Sequence, residues 1–253
     1  MQDQRGRGGD SAEEADLRER ADRVHARLDE VARADEPGFE ELVGIEEIVG
    51  ALARLEPGAQ RSVWNMQTRL GYDPEDPGYE LTASSLQRGI QTMLVTTPAS
   101  QAMNPLLSSL YPWARLGPVF LRAAVVDEER VVVEGRMTAD GSPTAWLTER
   151  AEVVDAVCDV WVRTLALSRP VLPLGEQPPL THRQLQVARL IALGEKDQSI
   201  ARQLDMSART VERDVRTILV ALGVSSRTEA VLTMIGRGRN GGRRSRERRE
   251  RSD

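Results

Sequence analysis

The chain has 253 residues, a formal net charge of −5 and 40% hydrophobic side chains, so it can form one large domain or two smaller ones with buried cores. Its single cysteine, Cys158, excludes an intrachain disulfide and a cysteine-based metal cluster. No apolar run approaches the ~20 residues of a membrane span, and residues 1–10 lack the apolar segment of a signal peptide. We therefore expect a cytoplasmic protein with no membrane partner.

The charge is distributed unevenly along the chain. Residues 180–253 carry 16 Lys or Arg against 9 Asp or Glu, a net charge of +7. Residues 1–179 carry 18 basic against 30 acidic side chains, a net charge of −12. Such an asymmetry of net charge is typical of a chain in which a basic nucleic-acid-binding region is attached to an acidic, solvated region.

The N-terminal part is predicted to consist of a disordered segment, residues 1–12, and a charged helix, residues 13–35. Apolar residues along this helix are spaced 4, 3, 4 and 3 apart: Leu17, Ala21, Val24, Leu28 and Val31. This spacing forms an a/d seam of little more than two heptads. It predicts either a dimerising coiled coil or a helix packed on its own domain, and periodicity alone does not separate the two.

Residues 39–168 alternate helical and strand patterns, which predicts an α/β or α+β domain. Helices are predicted at 45–55, near 81–89, within 98–111 and at 149–168, and strands at 62–66, 90–96, 119–126, 130–133 and 145–148. The two strands around Asp127 form the clearest hairpin. Four aromatic residues are assigned either to the core or to a ligand pocket: Trp64, Tyr111, Trp113 and Trp146.

Residues 169–179, with four prolines and one glycine, have the composition of an interdomain linker. Beyond it, residues 180–236 predict four short helices. Capping boxes begin the first helix at Thr181 and the last at Ser226, and Asp197 is the expected cap of the second. The Arg-rich residues 237–253 are predicted to be a disordered tail.

The third of these helices, residues 207–222, has two distinct sides. Val211, Val215, Ile218 and Leu222 form an apolar stripe, whereas Arg209, Arg213 and Arg216 recur at i, i+4 and i+7 beside Glu212. Ser207 is a good N-cap and Gly223 a good residue after the helix end. With a short helix at 197–204 and a tight connection at Asp205 and Met206, the pattern predicts a helix-turn-helix.

These residues resemble the LuxR-type helix-turn-helix domain of bacterial transcription regulators. The resemblance covers about 60 residues and rests on Leu180 to Gln184, Gly194, Ile200, Ala201, Leu204, Ser207, Thr210, Val211, Ile218, Leu222 to Val224 and Arg227 to Val231. It implies an all-α four-helix domain whose helix 207–222 lies in the DNA major groove. Glu212 and Asp214 replace a common Lys and a common His, which we interpret as two DNA-facing positions that have become acidic. The change either alters the base preference, since a carboxylate can accept from cytosine N4, or weakens DNA affinity through repulsion by phosphates, and we favour an altered preference.

Residues 39–168 more loosely resemble the phospholipase-D-like sensor domain of TrmB-like and some actinobacterial LuxR-type regulators. The resemblance rests on Leu86 to Ile90, Leu116 to Leu121, Val126 and Asp127. A hydrolytic member would need paired His-x-Lys motifs, but the only histidines are His25 and His182 and the only lysine is Lys196. We therefore expect a non-catalytic sensor domain, no enzymatic activity, no cofactor and no metal.

The sequence thus predicts a transcriptional regulator that binds double-stranded DNA as a homodimer under control of a small-molecule effector or a partner. Arg213, Arg216 and Glu212 are predicted to read base edges, and Ser207, Arg209 and Thr210 to hold phosphates. Lys196 completes the predicted DNA-binding set. The alternative, kept open by Glu212 and Asp214, is an adaptor that contacts RNA polymerase through a sigma-like helix-turn-helix.

Overall fold

The computed structural model describes residues 11–34 and 36–237. The predicted disorder at the two ends falls almost wholly outside these residues. The helices and strands follow one another as α1 (Ala12–Ala34), β1 (Phe39–Val43), α2 (Ile45–Leu55), β2 (Ser62–Gln67), α3 (Gly78–Gln87), β3 (Gln91–Thr96), α4 (Pro98–Met103), α5 (Leu107–Leu110), β4 (Arg115–Leu116), β5 (Ala123–Val126), β6 (Arg130–Glu134), β7 (Thr144–Thr148), α6 (Ala151–Ala166), β8 (Arg169–Pro170), α7 (His182–Ala192), α8 (Asp197–Gln203), α9 (Ala208–Leu222) and α10 (Arg227–Met234).

The chain forms two compact units, neither of which is continuous in sequence. Within the described residues, unit 1 comprises residues 11–34, 36–68, 77–97 and 115–169, and unit 2 comprises residues 69–76, 98–114 and 170–237. The chain therefore leaves unit 1 and returns to it twice before it enters unit 2 at residue 170. The predicted boundaries assign 69–76 and 98–114 to the N-terminal domain, whereas these segments lie in unit 2.

One mixed sheet organises unit 1, with strand order β1-β7-β6-β5-β2-β3-β4-β8. β2 pairs with β3 and β3 pairs with β4 in parallel. The pairs β1–β7, β7–β6, β6–β5 and β5–β2 are antiparallel. Alternate residues of each strand point to opposite sides of the sheet. Met66, Val95 and Val133 share a core with α1 and α6, whereas Val126, Val132 and Ala145 share a second core with α2. Helices thus cover both sides of the sheet, and the predicted mixture of helices and strands is confirmed.

The apolar seam of α1 is buried inside unit 1. Leu17, Ala21, Val24, Leu28 and Val31 are almost completely buried and share the core of Val157, Val160 and Trp161 of α6. A seam that is already covered by its own domain has no surface left for a partner helix. The burial of this seam favours the intramolecular interpretation over the dimerising one.

Three strands were not predicted, and one predicted strand is shorter. β1 pairs with β7 at an edge of the sheet, and its consecutive acidic residues Glu40 and Glu41 obscure the alternation typical of strands. The remaining two, β4 and β8, have two residues each. The strand predicted at 119–126 begins only at Ala123, because its partner β2 ends at Gln67, close to the residue opposite Ala123.

Unit 2 contains the last four helices, and α9 contacts each of the other three. The two earlier segments pack onto α7. The buried Leu180 N–H donates to Ser109 Oγ over 3.1 Å, and Arg189 Nε donates to the Pro74 carbonyl over 2.6 Å. The predicted linker, residues 169–179, includes a buried residue, Val171, whose N–H donates to the Ala114 carbonyl. No single helix within the described residues is long and apolar enough to cross a membrane, although α9 and α10 taken as a pair bent by 55° satisfy the same length and composition criteria.

Candidate nucleic-acid interface

The connection between α8 and α9 is closed by local hydrogen bonds. Asp205 adopts a left-handed conformation with φ 51°, and the Met206 N–H returns to the Ala201 carbonyl over 2.8 Å, which ends α8. Ser207 then caps α9, because its Oγ accepts the Thr210 N–H over 3.1 Å. At the other end, Gly223 has φ 66°, a conformation that favours glycine. The predicted cap, turn and helix end are confirmed.

The buried side of α9 contains a charged residue. Val211 and Ile218 are completely buried, and Asp214, between them on the same side, is 1% exposed. Its carboxylate accepts bonds from both Arg183 Nε, at 2.8 Å, and Arg183 Nη2, at 3.1 Å. The same contact raises the pKa of the Arg183 guanidinium above its usual value. Because a forked guanidinium matches both carboxylate oxygens, this pair joins α7 to α9 in one geometry.

The interpretation of Asp214 as a DNA-facing residue is therefore wrong. The helical period could have shown this, because position 214 follows Val211 by three residues and precedes Ile218 by four. Asp214 thus falls within the apolar stripe rather than on the arginine side. The helical period does not indicate that Arg183 is the partner of Asp214, because Arg183 lies 31 residues earlier on a different helix.

The other side of α9 presents three arginines and one carboxylate. Arg209, Glu212, Arg213 and Arg216 are exposed and, with Thr210, line a shallow surface depression. Arg216 Nη2 donates to Glu212 Oε1 over 3.0 Å. Within the described part of the chain, Arg209 and Arg213 have no acidic partner. The structure brings together on one surface most of the side chains that the sequence predicts to contact DNA.

The remaining predicted site residues are exposed or half-buried near the start of a helix. Ser207 Oγ and Thr210 Oγ1 lie 2.8 Å apart at the N-terminus of α9. Lys196 is exposed and occupies the N-cap position of α8, where its side chain makes no capping hydrogen bond. A helix N-terminus favours anionic groups, so Ser207 and Thr210 lie where a phosphate could be bound.

Asp197 was expected to cap α8, and that prediction is wrong. It is the first residue within the helix, and its Oδ1 accepts a hydrogen bond from Arg227 Nη1. Arg227 also donates through Nη2 to the Glu195 carbonyl. Asp197 therefore links α8 to α10. The two predicted capping boxes, Thr181 with Gln184 and Ser226 with Glu229, are both present.

Residues 178–234 match the family model described as bacterial regulatory proteins, luxR family. These residues form a LuxR-type helix-turn-helix domain. In this region the chain is 41% identical over 66 residues to the HTH-type transcriptional regulator MalT of Yersinia pestis (strain Pestoides F). That match covers 26% of this chain and only 7% of the Yersinia protein. The MalT of Klebsiella pneumoniae is 38% identical over 79 residues.

Solved structures similar to this chain include Nuc, a phospholipase D family member from Salmonella typhimurium, at a TM-score of 0.44 and 13% identity. The match covers 55% of this chain and 100% of Nuc. A second is the archaeal chromatin protein TrmBL2, at a TM-score of 0.43 and 15% identity, covering 62% of this chain and 64% of that one. Likeness at this level assigns neither an activity nor a ligand to this chain.

Outside the LuxR-type domain, burial affects the pKa values of Asp127 and Cys158 in unit 1. Burial raises the pKa of Asp127, but the N–H groups of Ser62, Gln60 and Arg61 outweigh burial and lower it below its ordinary value. This carboxylate thereby joins the β5–β6 turn to the start of β2. Burial raises the pKa of the Cys158 thiol to about 11, so the thiol is protonated at neutral pH. Among the described residues, no group of three His, Cys, Asp or Glu is arranged to hold a metal ion.

The four aromatic residues assigned either to the core or to a ligand pocket each pack against another aromatic ring. Trp64 stacks on Trp161 with ring centroids 5.4 Å apart, and Trp146 packs edge-on against Phe39. Tyr111 and Trp113 pack against each other within unit 2. Each of these rings therefore has an aromatic neighbour of its own.

Proposed function

We propose that this protein is a transcriptional regulator that binds specific sequences of double-stranded DNA by placing α9 in the major groove. One observation carries the proposal: Arg209 and Arg213 project from a capped helix without an acidic partner in the described residues, while the opposite side of that helix is held by Asp214 and Arg183. Unpaired guanidinium groups on a fixed helix are suited to phosphates and to guanine edges.

The proposed roles follow the position of each side chain along α9. Arg213 and Arg216, with Glu212, read base edges from the middle of the helix. Ser207, Arg209 and Thr210 hold phosphates at its N-terminus, where the helix dipole favours negative charge. Lys196, exposed at the start of α8, adds a phosphate contact.

The proposal includes a homodimer that places two copies of α9 about one turn of DNA apart, roughly 34 Å. The seam of α1 does not form its interface, because that seam is buried within unit 1. Unit 1 acts as a non-catalytic sensor for a small molecule or a protein partner. Two-fold symmetry in the selected DNA sites, together with the mass of the protein–DNA complex, tests the dimer.

The principal test compares Arg213→Ala with Arg23→Ala. Each variant removes one exposed arginine from a helix, but Arg23 lies on α1 and forms an ion pair with Glu19. Binding is measured by fluorescence anisotropy on a site selected from randomised double-stranded DNA. We expect Arg213→Ala to lose about 1–3 kcal/mol of specific binding free energy and Arg23→Ala to lose none. Unchanged specific binding by both Arg213→Ala and Arg216→Ala would contradict the proposal.

The alternative, an adaptor that contacts RNA polymerase, is less well supported by the structure. It rested on two acidic residues of α9, but Asp214 is buried and Glu212 is paired with Arg216. A salt titration separates the alternatives. Direct phosphate contacts predict a steep linear fall of log affinity with log salt concentration, whereas an adaptor shows no measurable DNA affinity at any salt concentration.

A further inference from the structure

Glu212 is the only carboxylate on the exposed side of α9, because the other acidic residue of this helix, Asp214, is buried. A carboxylate on a surface that approaches DNA is repelled by phosphates unless its charge is neutralised. Arg216 neutralises it: the two side chains are in contact at 3.0 Å, yet 69% of Glu212 and 73% of Arg216 remain exposed. Each side chain therefore keeps most of its hydrogen-bonding capacity free.

We propose that Glu212 and Arg216 act as one unit that reads a single G·C base pair in the major groove. This inference rests on the proposed function. The inference adds to that function the identity of the base pair, and it assigns the acidic side chain a direct role in recognition. The unit consists of these two side chains in the contact seen in the free protein.

The donor and acceptor pattern of the unit matches the major-groove edge of a G·C pair. That edge presents two acceptors, guanine N7 and O6, followed by one donor, the cytosine N4 amino group. A guanidinium has five N–H donors, of which the bond to Glu212 uses one, so Arg216 can still donate two to guanine. Glu212 has a second carboxylate oxygen, Oε2, with which it can accept from cytosine N4.

An A·T pair does not fit the same unit. Its major-groove edge presents an acceptor, a donor, an acceptor and a methyl group, so one arginine donor would meet the adenine amino group. Glu212 would then face thymine O4, an acceptor, or the methyl group. The arrangement therefore discriminates through repulsion as well as attraction.

The contact also reduces the cost of ordering Arg216. A free arginine side chain loses about 2 kcal/mol of rotamer entropy when it is held in one geometry. Glu212, four residues before Arg216 on the helix, already restricts that side chain before DNA is present. The alternative is that the ion pair between Glu212 and Arg216 only stabilises α9. Exposed ion pairs at i, i+4 spacing stabilise a helix weakly.

α1 supplies a matched control. Glu19 and Arg23 form an exposed pair at the same i, i+4 spacing and in the same order, with an N···O distance of 2.6 Å and with 70% and 57% of their side chains exposed. Glu19→Gln therefore reproduces the chemical change of Glu212→Gln on a helix that carries none of the predicted DNA-binding residues. A role limited to the helix predicts that the two substitutions behave alike.

The experiment selects binding sites from randomised double-stranded DNA with the full-length wild type, Glu212→Gln and Glu19→Gln. We expect the wild type and Glu19→Gln to enrich the same sites, with one position in each half restricted to G·C. Replacing that pair by A·T should weaken wild-type binding about 5- to 100-fold. With Glu212→Gln this discrimination should fall severalfold, while binding to unrelated DNA tightens because a negative charge has been removed.

The outcomes separate the two proposals. If the wild type enriches no sequence, the proposed function is wrong. If it enriches a site but Glu212→Gln retains the same preference at every position, the function stands and the inference is overturned. Thermal unfolding of each variant is measured in parallel, and we expect all three proteins to unfold at similar temperatures because both pairs are exposed.

Discussion

α1 and α9 each carry a row of three arginines at helical spacing, yet the two rows have different surroundings. In α1, the row Arg20, Arg23 and Arg27 is fully paired with carboxylates. In α9, only Arg216 of the corresponding row has an acidic partner among the described residues, and that partner is Glu212. The comparison shows that arginine spacing alone does not distinguish the two helices, whereas the carboxylates around the arginines do.

The pairing in α1 forms a closed ring with α6. Arg20 contacts both Asp16 and Asp159 at 2.8 Å, and Arg163 contacts the same two carboxylates at 3.4 and 3.0 Å. The hydrogen bond from Arg20 lowers the pKa of Asp16 below its ordinary value, so this carboxylate stays charged at neutral pH. The arginines of this ring thus form ion pairs within unit 1, the unit in which the apolar seam of α1 is also buried.

The largest expected effect lies on the apolar side of α1. Leu17→Ala removes a completely buried side chain from the core shared with α6 and should lower the free energy of unfolding by about 2–5 kcal/mol. Because the seam is intramolecular, the oligomeric state at constant protein concentration should not change. Urea unfolding and analytical ultracentrifugation measure the two quantities. Loss of a dimer without loss of stability would instead favour the coiled-coil interpretation.

An intermediate effect is expected at the pair that fixes α9. Arg183→Ala leaves the buried carboxylate of Asp214 without its donor and should cost about 1–3 kcal/mol of stability. The cost stays below that of a fully buried ion pair because 48% of the Arg183 side chain is exposed. The double variant Arg183→Leu with Asp214→Asn removes both charges and should recover part of this loss. Equal stability of wild type and Arg183→Ala would show that the pair does not hold α9.

The smallest effect is expected in the ion-pair ring. Arg20→Ala removes one member of the ring and should change the free energy of unfolding by no more than about 1 kcal/mol, because its carboxylates remain solvated. DNA affinity should stay unchanged, in contrast to Arg213→Ala. A loss of DNA binding equal to that of Arg213→Ala would remove the distinction between the two helices.

Much of the LuxR-type domain was predictable because its signals are local. Ser207, Gly223 and both capping boxes act within one helical turn, so the sequence around each defines it. The contact between Arg183 and Asp214 was not predictable in the same way, since it joins residues 31 positions apart on two helices. The burial of Asp214 was nevertheless available from the helical period.

In unit 1, the elements with regular apolar patterns were predicted, and α2 was predicted with both ends correct. β1 was missed because its sequence FEELV carries two adjacent glutamates, which interrupt the apolar and polar alternation typical of a strand. The seam of α1 was recognised, but its partner was not. A heptad pattern specifies that a helix buries one side and does not specify what covers that side.

The contacts of unit 2 with its two early segments affect the order in which the chain can fold during synthesis. Pro74 and Ser109 are made 115 and 71 residues before their partners Arg189 and Leu180. At a synthesis rate of about 5–20 residues per second, roughly 4 to 20 seconds pass between the synthesis of these segments and that of the residues they contact. Such long separations also raise the contact order, which slows folding. A ribosome pause before residue 180 would therefore lengthen the time that Pro74 and Ser109 spend without these partners.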